Sequence, residues 1–233
     1  MANMYLATPS QMKAAEANAV ASGKTYIGLM ENAGAAAVQE LCRCVDINAD
    51  SRVLIICGRG NNGGDGFVMA RLIADMDARV FVTLPCGAPK SGIALEEYAR
   101  IAHSKITFLD TDDERISDRY DAVVDAVFGT GFHGELSADI ISLFSRISKD
   151  SFILAADIPS GADSVTGKVS AGTLRCGLTI TFGAPKIGMT LLPAQINCGK
   201  IIVREIGITE SCFENTGAPI TVSYTHLRAH ETV

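Results

Sequence analysis

Two aspartates stand at the ends of apolar runs, where a carboxylate is costly unless it meets a cation or several hydrogen-bond donors. Asp125 interrupts Ala122 to Phe128 (AVVDAVF), and Asp157 follows Phe152 to Ala156 (FILAA) and precedes Ile158-Pro159-Ser160-Gly161. A third segment, Gly58-Arg59-Gly60-Asn61-Asn62-Gly63-Gly64-Asp65-Gly66, follows Arg52 to Cys57 (RVLIIC) and leads into an apolar helical pattern. Gly58, Gly60 and Gly63 satisfy G-x-G-x-x-G, the spacing at which backbone N–H groups and a helix N-terminus receive a pyrophosphate. The dinucleotide fingerprint also expects an acid about 20 residues on, but the next strand ends Leu84-Pro85-Cys86-Gly87. That weighs against an ordinary nicotinamide dehydrogenase. Asn61, Asn62 and Asp65 add side-chain oxygens that a simple phosphate cradle does not need. Asp65 could instead cap the helix, and either Asn could be a turn residue that tolerates positive φ. Two strand-end carboxylates beside a glycine-rich turn point to a shared site at the switch of a sheet.

The elements that must hold these residues follow from the apolar pattern. Strands are expected at Arg52–Cys57, Arg79–Leu84, Ile106–Leu109, Ala122–Phe128, Phe152–Ala156, Leu178–Phe182 and Ile201–Val203, with helices near 64–76, 91–103 and 136–148. Short β-branched runs separated by helices predict an α/β fold, a mostly parallel sheet with helices on both faces. Two helices lead in. One is opened by Ser10, spaced by Met12, Ala15, Ala19 and Val20, and stopped by Gly23; the other covers about Ile27 to Cys44. Gly23-Lys24-Thr25 is no phosphate loop, because Asn18 stands where that motif needs glycine and no strand precedes it.

With 233 residues, 48% of them hydrophobic, and a net charge of −6, the chain can bury a sizeable core. The acidic balance argues against a nucleic-acid surface, and no apolar run reaches the ~20 residues of a bilayer span. The first residues, Met1 to Met4, lack the basic and apolar regions of a secretion signal. Seven cysteines, an odd number, then read as unpaired thiols in a reducing cytoplasm; Cys42-x-Cys44 lacks the spacing of a zinc knuckle. After Pro219 the chain continues no strand or helix pattern. His226 and His230 could ligate a metal from one helix face, but residues 221–233 read as a translated cloning-adaptor tail, leaving one domain over residues 1–220.

GRGNNGGDGFVMAR, VVDAVFGTGFHGE and DIPSGADSVTG, with MENAG upstream and TFGAPKIG downstream, closely resemble the NAD(P)H-hydrate epimerase family, the YjeF N-terminal domain, over about Thr8 to Gly207. The resemblance implies a Rossmann-like three-layer sandwich, a homodimer and a repair reaction. The two epimers of NADHX and NADPHX, nicotinamide cofactors hydrated at C6, are interconverted so that a companion ADP- or ATP-dependent dehydratase can use the S form. It places substrate on Asn61, Asn62, Gly63, Gly64 and Asp65, on Gly129, Thr130, Gly131, Phe132, His133, Gly134 and Glu135, and on Asp157. It also assigns one potassium ion per subunit to Asn62, Asp125 and Ser160, whose hard oxygens suit that cation.

Asp157 is the candidate acid–base residue, with capping of the turn before Pro159 as its alternative role. Lys186 reads equally as a partner of a phosphate or carboxylate and as a solvated lysine. His133 reads as a wall of the pocket. Many relatives fuse this domain to a dehydratase, so the chain reads as the first half of a bifunctional protein or as a stand-alone epimerase. A non-catalytic nucleotide-binding or interaction module and a nicotinamide oxidoreductase are the alternatives.

Overall fold

A computed structural model describes residues 3–217 and 220–223. The lead-in begins with strand β1 (Asn3–Leu6), which the sequence reading missed, and helix α1 (Pro9–Ala21). The cap of α1 is Thr8 rather than Ser10. The Gln11 amide donates to Thr8 Oγ1 at 3.2 Å and Gln11 Oε1 accepts from the Thr8 amide at 2.9 Å, a reciprocal pair satisfying two otherwise orphaned N–H groups. Helix α2 (Tyr26–Cys44) is capped by Thr25, which accepts from the Gly28 amide at 3.1 Å, so the Gly-Lys-Thr tripeptide ends one helix and starts another.

The central sheet is made of β2 (Arg52–Cys57), β3 (Arg79–Thr83), β4 (Thr107–Leu109), β5 (Ala122–Ala126), β6 (Phe152–Ala156), β7 (Leu178–Phe182) and β8 (Lys200–Arg204). Its order is β4-β3-β2-β5-β6-β7-β8 and every neighbouring pair is parallel. Helices α3 (Asn61–Ala74), α4 (Gly92–Ile101), α5 (Ala138–Ser145) and α6 (Ala194–Cys198) complete the connections. Alternate residues of β2 serve opposite faces, as a pleated strand requires. Val53, Ile55 and Cys57 pack with Leu41 of α2 and Phe67 of α3, whereas Leu54 and Ile56 pack with Leu143 and Phe144 of α5. Helices on both faces make three layers, as expected.

Helix α2 lies close on α3 because Gly34 leaves room: a Cβ there would come within 2.4 Å of Val68. The expected fourth major strand is shorter than its apolar run. Val127 and Phe128 leave the ladder because their amides turn to Asp125 Oδ1 at 3.4 Å and to Ser160 Oγ at 2.8 Å. Residues 221–223, grouped above with the tail, belong instead to β9 (Ile220–Ser223), which pairs antiparallel with β1. His226 and His230 lie outside the described residues. No helix among the described residues is long and apolar enough to cross a membrane.

Candidate active site

Strand order reverses between β2 and β5, since β2 runs on to β3 and β4 on one side while β5 runs on to β6 on the other. Ligands of open α/β sheets bind beyond the carboxyl ends at such a switch. A cavity of about 1000 Å³ opens there.

One wall is the start of α3. Asn61 to Asp65 form the first turn and a half of that helix rather than a loop ahead of it, because Gly60, with extended backbone at φ −98°, takes the N-cap position. Asp65 therefore caps nothing. Asn61, Asn62 and Asp65 line the cavity, whereas Gly63 and Gly64 are buried beneath it. The glycines at 58 and 63 serve close approach: a Cβ on Gly58 would sit 1.9 Å from the Val127 carbonyl oxygen, and one on Gly63 1.8 Å from that of Gly58. Backbone cannot yield as a flexible side chain can. We expect Gly58→Ala to destabilise the fold by about 3 kcal/mol or more, checked by urea unfolding; a loss within 0.5 kcal/mol, about the scatter of a neutral surface change, would mean that the β2–β5 ends are not this tightly seated.

The opposite wall is the segment after β5. Gly129 to His133 and Glu135 line the cavity, and Gly134 does not. The Phe128 and Phe132 rings pack at 5.2 Å. His133, exposed, pairs through Nδ1 with Asp163 Oδ2 at 3.0 Å, which ties it to the wall.

Beyond β6 stands Asp157, whose backbone is left-handed at φ 66°. Few non-glycine residues adopt that conformation, and Asp is among those that tolerate it. Its amide donates to the Ile180 carbonyl at 2.7 Å. Oδ1 accepts from Lys186 Nζ at 2.5 Å and from Thr181 Oγ1 at 3.3 Å, while Oδ2 lies 3.3 Å from the Thr130 amide. Lys186 is only 1% exposed and also donates to Thr181 Oγ1 at 2.8 Å and to the Phe182 carbonyl at 3.1 Å. The solvated-lysine reading is thus excluded. Lys186 is tied into the floor of the site and fixes one oxygen of Asp157.

Asp125 is fully buried at the end of β5. Burial pushes its carboxyl up to about 6, against the pull of Ser160 and the Val127 amide. Ser160 donates to it twice, from Oγ at 2.5 Å and from its amide at 2.8 Å. Asn62 approaches from α3, its side chain against the position a Gly129 Cβ would take. Both polar atoms of the Asn62 amide are buried with no hydrogen-bond partner, an arrangement that ordinarily signals an absent ion or water. A buried carboxylate, a hydroxyl and an orphaned amide oxygen fit a large monovalent cation. Among the described residues no cluster of three His, Cys, Asp or Glu suits a transition metal.

The sequence reading missed Glu16, which reaches the same cavity from α1. Burial first, then the charge of Asp157, raises its carboxyl above the ordinary range. Only the 3.6-residue spacing of α1 could have hinted at this, and that spacing says nothing about what the exposed face meets.

A family model described as YjeF-related protein N-terminus matches residues 27–188. The NAD(P)H-hydrate epimerase of Nitrosopumilus maritimus is 37% identical over 188 residues, covering 77% of this chain and 85% of that protein. The bifunctional NAD(P)H-hydrate repair enzyme Nnr of Thermofilum pendens is 35% identical over 196 residues, covering 81% of this chain but 37% of that protein. The chain thus spans less than half the length of such bifunctional relatives. A crystal structure of the yeast protein ynu0 superposes with a TM-score of 0.68 at 22% identity, covering 86% of this chain and 88% of the other, and so shares the fold. By the match over residues 27–188 and the identity to its relatives, the chain belongs to the family of YjeF-related N-terminal domains.

Proposed function

We propose that this chain is an NAD(P)H-hydrate epimerase that interconverts the R and S forms of NADHX and NADPHX. The observation that carries the reading is Asp157, held in a left-handed backbone and paired with a buried lysine, in a cavity walled by both expected substrate segments. Strained polar residues of this kind are kept where they do chemistry.

The C6 hydroxyl is attached to the carbon beside the ring nitrogen. Once the oxygen is protonated, the nitrogen lone pair expels water and leaves a planar iminium; water returning to the other face inverts the centre. Asp157 is the group that exchanges protons at C6. Lys186 orients it through Oδ1, and the Thr130 amide fixes Oδ2. The N-terminal turn of α3 and Arg59 face the cavity where the diphosphate would lie.

Asn62, Asp125 and Ser160 would hold potassium. Bound there, the ion would neutralise Asp125 and tie the start of α3 to the turns after β5 and β6. In the same reading the protein is a cytoplasmic homodimer, and its product passes to an ADP- or ATP-dependent dehydratase.

The test is conversion of purified (R)-NADHX to the S form, followed by chromatography against the spontaneous rate. Acceleration in potassium buffer is expected, falling at least about tenfold when sodium or lithium replaces potassium. Asp125→Asn should lose that ion dependence together with most of the rate. No acceleration over the blank, with NADH still bound, would leave a nucleotide-binding module.

A further inference from the structure

Inverting a carbon by loss and return of water asks for two proton-handling groups: an acid where the hydroxyl leaves and a base where water arrives on the other face. Asp157, salt-bridged by Lys186, supplies one of them. Asp65, expected from the resemblance only to touch substrate, is a second carboxyl of the cavity with no proton-handling role so far. It lines the same cavity from α3, which follows β2, and β5 lies between β2 and β6, the strand that ends at Asp157. Among the described residues its carboxyl takes part in no hydrogen bond or ion pair.

The groups that face Asp65 all bear on its proton. Burial is the largest influence, and the charges of Asp157 and of Glu16 on α1 add to it; Lys186 pulls the other way, and the net effect is a carboxyl well above its ordinary range. The Cys57 thiol, also pushed up by burial and by Asp65, stays neutral. Burial and these charges favour the neutral form of Asp65, which stands in one cavity with the Asp157–Lys186 pair.

We propose that Asp65 is the second catalytic carboxyl of the epimerisation, resting on the epimerase reading above. For one epimer Asp65 gives its proton to the C6 hydroxyl, the C6–O pair leaves with water, and the nitrogen lone pair becomes the C6–N1 π bond. Water then adds to the opposite face, its second proton passes to Asp157, and the π pair returns to nitrogen. For the other epimer the roles reverse, and in one-way turnover Asp157 releases its proton to solvent and Asp65 takes one up before the next cycle. Glu16, facing both carboxyls, disfavours a second negative charge on Asp65 in the resting state.

Asp65→Asn tests this, because an amide replaces a neutral carboxyl at nearly equal shape and charge. Each epimer is incubated in ¹⁸O-water, and inversion and label uptake at C6 are followed separately. With two groups, Asp65→Asn should slow inversion at least about a hundredfold, while label still enters, without inversion, the epimer whose hydroxyl faces Asp157, in the fraction of enzyme whose Asp157 has taken a proton from solvent. The fall of kcat/KM at high pH, where Asp65 loses its proton, should disappear in the variant. Unchanged inversion in Asp65→Asn, with NADH affinity kept, would overturn the assignment, and so would equal loss of inversion and label uptake in both epimers. Failure of the wild-type protein to epimerise would instead overturn the functional reading beneath it.

Discussion

Asp157→Asn is expected to lower epimerisation by about a hundred- to ten-thousandfold, the span of general acid–base contributions, while NADH binds within a few-fold of wild type. Asparagine suits the experiment because it tolerates the left-handed backbone, φ 66°, at least as well as aspartate. The change thus removes the carboxylate without adding backbone strain. It does carry a stability cost. Lys186, 2% exposed at its side chain, keeps the Thr181 hydroxyl and the Phe182 carbonyl but loses its counter-ion. Leaving one partner of a buried pair uncompensated costs about 3–5 kcal/mol, to be read from urea unfolding. Turnover should therefore be compared well below the variant's melting temperature. A folded variant with wild-type rate would remove Asp157 from the chemistry.

Lys186→Met should be nearly as damaging, for a different reason. The thioether fills much of the lysine's volume but leaves the Asp157 charge without its cation and leaves Thr181 Oγ1 and the Phe182 carbonyl each short of a donor. Stability should fall by about 3–5 kcal/mol and kcat by roughly a hundredfold, the low end of an acid–base contribution, as the carboxylate loses its fixed orientation. The double variant Asp157→Asn, Lys186→Met provides the sharper measurement. If the two side chains act as one unit, its loss of stability falls short of the sum of the singles by about 1–3 kcal/mol. Strict additivity would mean that the ion pair contributes nothing beyond its separate parts.

Much of this architecture was legible in the chain because parallel strands buried on both faces leave unbroken apolar runs. Arg52–Cys57, Phe152–Ala156 and Leu178–Phe182 form strands at the expected bounds. The aspartates at strand ends were conspicuous for the same reason, since a carboxylate among β-branched residues contradicts its surroundings. Less visible were features decided by distant contacts. Nothing local marks Lys186 as buried; its place follows from Ala7, whose amide donates to the Pro185 carbonyl at 2.9 Å and closes the lead-in over the segment after β7. The helical start at Asn61 was hidden among five glycines between 58 and 66, because glycine-rich sequence reads as a turn whether or not a helix N-terminus sits inside it. Strands β1 and β9 are short, and each is a strand only by virtue of the other.

The position of the switch point also governs when the cavity can exist during folding. Its two walls hang from β2 and from β5 and β6, and β2 meets β5 through pairings such as Val53 with Ala122, while the Arg52 amide reaches the Asp121 carboxylate 69 residues away. Closing so long a loop is entropically slow, and pairings remote in sequence delay the rate-limiting step. A nascent chain can form α1, α2 and the β2–β4 half early and still present nothing that grips a dinucleotide. On the epimerase reading, a ligand that needs both walls would bind only chains in which β2 has already met β5, and would stabilise those forms alone.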